Sequence, residues 1–510
     1  MSGLAGMRRS RVYDAAAQVS ASVVGRALYL LLQVVLARQL GPFEFGLYCI
    51  GWTVVGLVGT LTTVGMPQAV LRFEVGGRSS LLAAPVLIAG SVGLAAAVAV
   101  ALLADRIVAG VFGEPAAAAV LRAFAPAVFA LSLISVMVSS LRVTGAVALS
   151  ALVGMAMSAL GFGITLLAFA FSASAVSAAA AQSVAAALAM VGTAAVLRAQ
   201  PDAAGAPALR ALARFGVITM VVHGSNVLNI WADRLVIGML ADAAAVGVYQ
   251  VASQLAMVAV VLRSAVVTVF ETKVPKQRPG GGPPDVTAEY VAALRLLLHA
   301  TGPGLIAVAF TAGFWVESLF GATYAAGAAP LVILIVGQIV QTIIGPSVNA
   351  LHMTGDERVV VALTFGSVAL NILGNFALIP LLGTAGAALA TVAANTAVGA
   401  ACVARLVRTG RLRPSLASCG DLLLGVGGST VAVWSLSSFA LGPPTVVQAC
   451  LVGFAAYAVY FAVLLATCRV EDDVLRLLRG AFARAVSRVG RGGRAGGVPA
   501  ARPLAGEEGR

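Results

Sequence analysis

The chain has 510 residues, of which 60% are hydrophobic and only 10% charged. A soluble domain carries about 25% charged residues, so this chain cannot clothe a water-facing surface of its size, and its solvent must be lipid. Its formal charge of +13 sits in clusters between apolar runs and not on one face of a soluble domain, which excludes a nucleic-acid-binding protein.

In a bilayer core every backbone polar group must be satisfied internally, so only helices and closed barrels can span it. Barrel strands alternate apolar and polar residues over about ten positions. The runs here last about 20 residues, the length that crosses about 30 Å at 1.5 Å per residue. In chain order they fall at 14–37, 45–69, 81–104, 116–139, 146–171, 174–197, 215–240, 245–270, 292–315, 327–350, 358–381, 385–407, 419–440 and 445–468. The pattern predicts an all-α membrane protein of about 14 transmembrane helices. Arg8, Arg9 and Arg11 precede a first run that is too long for a signal peptide and is interrupted by Arg26.

Lysine and arginine favour the cytoplasmic side of a membrane. With the N-terminus inside, 27 of the 33 basic residues fall in inside segments, only Arg38 and Arg106 fall outside, and Arg26, Arg122, Arg234 and Arg263 lie within apolar runs. This predicts a multi-pass cell-membrane protein with both termini in the cytoplasm. The longest inside loop, about 271–291, is dense in Pro and Gly and reads as a linker. From about 471, Val474, Leu477, Leu478 and Phe482 recur at helical spacing with arginines between them, a basic amphipathic helix suited to anionic lipid. The Gly/Arg-rich end after 490 predicts disorder.

The two halves repeat. Phe45-Gly46-Leu47-Tyr48 corresponds to Val246-Gly247-Val248-Tyr249, Phe73-Glu74 to Phe270-Glu271, and Phe112-Gly113 to Phe320-Gly321. Leu141 through Thr144-Gly145 corresponds to Leu351 through Thr354-Gly355. The order is kept and the offsets stay between 197 and 210 residues. Six helices separate the copies, so both halves run the same way through the membrane. The expected architecture is two parallel six-helix bundles, 1–200 and 201–410, around a central cavity, two added helices at 411–470, and a tail at 471–510. Transporters use such repeats and bind substrate near the midplane.

Charged residues at membrane depth cost roughly 2.5–3.5 kcal/mol on insertion scales and are functional candidates. Gln18, Ser22, Arg26, Tyr29 and Gln33 share one face of the first helix. His223, Asn226, Asn229 and Asp233 form a related stripe on the seventh, with Arg234 beside it, and Arg263 lies about two turns from the end of the eighth. The substrate-binding candidates are therefore Arg26, Gln33, Asn226, Asn229, Asp233, Arg234 and Arg263. Structural ion pairs compete with this reading, especially at Asp233 and Arg234. Cys49, Cys402, Cys419, Cys450 and Cys468 show no metal-ligand spacing. No nucleophile–base pair, metal cluster or cofactor motif is apparent.

Ala37-Arg38 through Leu40-Gly41-Pro42, with Phe45-Gly46 and Tyr48, resembles the loop after the first helix of polysaccharide flippases. Asp233-Arg234-Leu235 with Val246-Gly247-Val248-Tyr249 does so in the second half, as do Leu319-Phe320-Gly321 with Tyr324, and Asn371 through Asn375, Leu378-Ile379-Pro380 and Gly386 through Thr391. The chain thus resembles the polysaccharide-transporter branch of the multidrug/oligosaccharidyl-lipid/polysaccharide exporter superfamily. The resemblance implies two bundles around a V-shaped cavity. It also implies a lipid-linked oligosaccharide on undecaprenyl pyrophosphate, flipped to the outer leaflet, with polysaccharide-assembly proteins as further partners. Arg26, Arg234 and Arg263 match the family's cationic cavity residues by helix and character. The rivals are a peptidoglycan-precursor flippase, a cation-coupled multidrug efflux antiporter and, from another class, a membrane polymerase or glycosyltransferase. Short outer loops speak against an enzyme, and arginines outnumbering acids speak against efflux.

Overall fold

A computed structural model describes residues 2–202, 209–273, 284–413, 424, 426–431, 433–435 and 445–466. The predicted amphipathic tail, and residues 274–283 of the Pro/Gly linker, lie outside these residues. The first half holds α1 (Ser2–Thr62), α2 (Met66–Phe73), α3 (Ala84–Val111), α4 (Ala117–Val143), α5 (Val147–Phe169) and α6 (Ala175–Arg198). The second holds α7 (Leu209–Leu240), α8 (Ala243–Lys273), α9 (Thr287–Phe310), α10 (Ala312–Phe320), α11 (Ala328–Ile344), α12 (Pro346–Met353), α13 (Glu357–Leu382) and α14 (Thr384–Arg408). After them comes α15 (Val446–Ala466).

Twelve apolar helical stretches among the described residues are long enough to cross a membrane. The first of them runs from Val23 to Phe73 and is bent at Gly41, whose φ of 71° breaks the helical backbone. Glycine tolerates that conformation, and the following Pro42 disfavours a helical residue before it while suiting the first turn of a new helix. This stretch therefore crosses twice, making thirteen. The described helical residues at 426–431 and 433–435 fall within the apolar run at 419–440, the thirteenth in chain order and the remaining one of the expected fourteen. The expected loop between the first two spans is a kink only, so α1 is one bent element.

Packing within each half relies on small residues. Ala178, Ala179, Ala185 and Ala186 of α6 are buried where it meets α4 and α5, and short side chains let helix backbones approach in lipid, where tails are as apolar as leucine. Ser174 caps α6 by accepting from the Ser177 amide in a reciprocal capping box. Arg122 of α4 pairs with Asp105 of α3, so the fourth-helix arginine belongs to a peripheral ion pair. In the second half Arg411 donates to Asp356 at 2.8 Å and to Thr354 at 3.0 Å, and its carbonyl accepts from the Val286 amide. These bonds tie the end of α14 to the start of α9.

The repeat is visible in the backbone. Gly113 and its counterpart Gly321 both take positive φ, as do Gly145 and Gly355. Thr144 and Thr354 cap equivalent helix ends, each hydroxyl donating to a carbonyl of its own last turn. Equivalent sequence has produced equivalent turns.

Candidate functional site: the space between the two bundles

The two halves touch at two seams. At one, Gly46 of α1 packs against α8 so closely that a Cβ would lie 1.6 Å from the Ala243 carbonyl oxygen. Its repeat partner Gly247 would place a Cβ 2.4 Å from the Pro42 oxygen. The motif shared by the halves is thus the contact between them. Arg38 reinforces this seam by donating from Nε to the Leu319 carbonyl at 2.8 Å and from a terminal nitrogen to that of Ser318, while the Tyr324 hydroxyl donates to the Ala37 carbonyl at 3.0 Å. At the other seam, a Cβ on Gly65 would lie 2.2 Å from the Gly216 oxygen, which brings the turn before α2 against α7.

Between the seams lies a polar, aromatic cluster. Tyr29 of α1 packs beside Gln254 and Trp52, with Arg234 nearby. Gln33, one turn further along that face, is fully buried, and neither amide atom has a partner. Arg26 shares the face, is exposed, and makes no hydrogen bond or ion pair among the described residues. Trp231 stands against Gly56 from the opposite half. A cavity of about 440 Å³ runs along α1, α2 and α4, with His223 of α7 and Arg142 of α4 on its wall; none of Arg26, Gln33, Arg234 and Arg263 lines it.

Arg234 is only 7% exposed. It donates to Gln250 at 2.5 Å, to Ser253 at 2.6 Å and to the Ile230 carbonyl at 2.8 Å, and its guanidinium lies 5.0 Å from the Trp231 ring and 5.8 Å from the Tyr249 ring. Neutral partners hold it in place without cancelling its charge. A guanidinium has five N–H donors, so after three bonds two remain for an anion. Arg263 of α8 donates to Gln338 of α11 at 3.0 Å, again a neutral acceptor. Arg26, Arg234 and Arg263 therefore all lack an acidic partner among the described residues.

The seventh-helix stripe divides. Asn229 donates to Asn395 at 3.4 Å, leaving its own oxygen buried and unpaired. Asn226 is exposed. Asp233 is turned into the second bundle and does not join Arg234. It accepts from the Tyr249 hydroxyl at 2.6 Å, the Thr391 hydroxyl at 2.7 Å and the Asn375 amide at 3.0 Å. Asn371 bridges to both Asn375 and Thr391. All of Asp233's donors are neutral, and the Asn375 side-chain oxygen is buried without a partner. A buried carboxylate without a countercharge is costly. The oxygens gathered here suit a proton or a monovalent cation.

Some of these residues were not picked out from the sequence. Gln250, Ser253 and Gln254 interrupt an apolar run at helical spacing, a signal that could have been read. Trp52 and Trp231 carry no such mark, and their roles depend on the crossing of the two halves. Asn371, Asn375 and Thr391 were legible only as parts of a resemblance.

Residues 35–329 match the sequence profile of the family described as "Polysaccharide biosynthesis protein". The chain belongs to that family. No curated protein matches the sequence. Solved structures similar to this family member include "Lipid II flippase MurJ, inward closed conformation", at 14% identity and a TM-score of 0.74, covering 88% of this chain and 99% of that one. An inward-facing multidrug resistance MATE transporter of the MOP superfamily follows at 15% identity and a TM-score of 0.58, covering 76% and 96%. A MOP superfamily transporter from Pyrococcus furiosus, described for the reversed polarity of its binding pocket, has 14% identity and a TM-score of 0.52, covering 79% and 96%. At these identities the likeness establishes the fold alone, that of a multi-pass helical membrane protein.

Proposed function

We propose that this protein flips a lipid-linked oligosaccharide or polysaccharide precursor from the cytoplasmic to the outer leaflet by alternating access. The observation that carries the reading is that Arg26, Arg234 and Arg263, all within apolar runs, have no acidic partner among the described residues. Positive charge held by neutral acceptors, as at Arg234 and Arg263, favours an anion, and arginine offers paired donors to phosphate. A polyprenyl diphosphate carrier fits that charge, while Gln33, Asn226 and Asn229 offer hydrogen bonds to sugar hydroxyls. The lipid tail would stay in the bilayer between the bundles. Membership of a polysaccharide biosynthesis family supports the glycan.

The two seams are the natural gates. Each crosses the halves through glycines, so parting one while closing the other exposes the central space to one side at a time. The Asp233 cluster is placed to couple this motion to a proton or a monovalent cation, since neutralising it changes the electrostatics where α7, α8, α13 and α14 meet. A cationic interior argues against export of cationic drugs. The arrangement suits binding and release.

The test is lipid extraction from a deletion strain. A polyprenyl-diphosphate glycan should accumulate on the inner leaflet and be cleared by the wild-type gene but not by Arg234→Gln. Normal lipid pools in the deletion strain would overturn the reading. Accumulation of the peptidoglycan precursor alone would reassign the substrate.

A further inference from the structure

We propose that a second cationic pocket, where α2 meets α7, docks the phosphate or diphosphate head group of a membrane lipid. Arg72 at the end of α2, and Arg210 and Arg214 in the first turns of α7, line a cavity of about 860 Å³ together with Phe73, Phe215 and Ile218. Among the described residues, no acidic one lines it. Arg210 and Arg214 are four residues apart, so they lie side by side on one face, an arrangement that is repulsive without an anion between them. None of the three arginines makes an ion pair among the described residues.

The pocket is built from both halves. Arg72 stacks over the Phe215 ring at 4.9 Å, and Phe73 meets Phe215 edge-on at 6.0 Å. An aromatic floor therefore joins α2 to α7 next to the Gly65–Gly216 seam, with the guanidiniums at its rim. The excess of arginine expected at the cytoplasmic end of a membrane protein accounts for their number. It does not account for their convergence on one aromatic cavity.

The ligand's chemistry follows from the two kinds of surface. Arginine supplies paired donors for phosphate oxygens. From Arg214 the same face of α7 continues through Ile218 and Val221, which are 59% and 47% exposed, an apolar track suited to a hydrocarbon chain. A free phosphate would use the rim alone. A lipid phosphate uses the rim and the track together. An occupant here would bridge α2 and α7 and so hold that seam shut until its head group moves inward. That role in delivery rests on the function proposed above, whereas the binding itself does not.

The test uses the full chain in phosphatidylcholine nanodiscs and measures binding of undecaprenyl diphosphate, phosphatidylglycerol and inorganic diphosphate by native mass spectrometry. Every measurement is made in an R26Q/R234Q/R263Q background, which removes the three cations of the proposed central site. The triple variant R72Q/R210Q/R214Q should bind the diphosphate lipid about a hundredfold more weakly, the loss of two to three charge-assisted hydrogen bonds. R198Q/R358Q/R408Q, which removes the same charge from exposed positions elsewhere, should bind within about twofold of its parent, a change too small for a lost contact. Competition by phosphatidylglycerol at equal strength would identify the source as bulk anionic lipid, and failure to compete would identify the carrier lipid. Inorganic diphosphate binding as tightly as the lipid would overturn the lipid assignment. Undiminished binding by a folded triple variant, or equal loss in the exposed-site control, would overturn the pocket. Loss of glycan-lipid clearance in Arg234→Gln alone, with pocket binding intact, keeps the two proposals separable.

Discussion

Gly46→Ala tests the first seam directly. An alanine Cβ would lie 1.6 Å from the Ala243 carbonyl oxygen and 2.4 Å from its carbon. A carbon–oxygen contact is comfortable at about 3.3–3.6 Å, so α1 and α8 must part by roughly 2 Å at this point. The obstacle is backbone, and no rotamer change can relieve it. Overpacking of this kind costs typically 1–3 kcal/mol, and the cost falls only on the state in which the seam is closed. At about 1.4 kcal/mol per tenfold change, the equilibrium should shift roughly 5- to 150-fold toward the state open at this seam. Gly247→Ala, with its Cβ 2.4 Å from the Pro42 oxygen, should act in the same direction but more weakly. The double variant should fall short of additivity, because one separation relieves both clashes. The assay is labelling of a cysteine at position 254, in a chain whose five native cysteines are replaced, by a membrane-impermeant maleimide added from the side of this seam. Gly46→Ala should raise the labelling rate at least about fivefold, the lower end of that range. A correctly folded Gly46→Ala protein that labels no faster than its parent would refute the argument that this glycine contact is a gate.

Three further outcomes are expected. Arg38→Ala removes the bonds to the Ser318 and Leu319 carbonyls, each worth about 0.5–1.5 kcal/mol net, and should raise the same labelling rate without lowering the yield of folded protein. Asp233→Asn keeps the shape of the side chain but removes its charge, and should leave the fold intact while abolishing any dependence of transport on the pH or cation gradient. A gradient response equal to wild type in that variant would exclude coupling at Asp233. Outside the membrane spans, the Asp202 carboxyl is held below the ordinary aspartate range, chiefly by the hydrogen bond from the Ser79 backbone N–H at 2.6 Å. The folded value is the lower one, so this tie is fully present above the unfolded value of about 3.9 and is lost as pH falls through the depressed value. Hydrogen exchange around Ser79, corrected for its intrinsic pH dependence, should accelerate at that point in the wild type and show no such step in Asp202→Asn.

The sequence alone determined the solvent, the number of spans and the repeat. These depend on local quantities: run length against bilayer thickness, and side-chain types that recur at fixed offsets. It also brought out Arg26, Gln33, Arg234 and Arg263, because a polar group within an apolar run stands out whatever surrounds it. It could not say which way each would turn. Asp233 and Arg234 are sequence neighbours about 100° apart on a helix, and that angle sends one into the second bundle and the other toward α8 and Trp231. Only the tertiary structure decided this, since it depends on which helices flank α7. The same holds for Gly46 and Gly247. Their recurrence was legible as a repeat, but that they meet across the seam follows from how the two bundles dock, which no local spacing encodes.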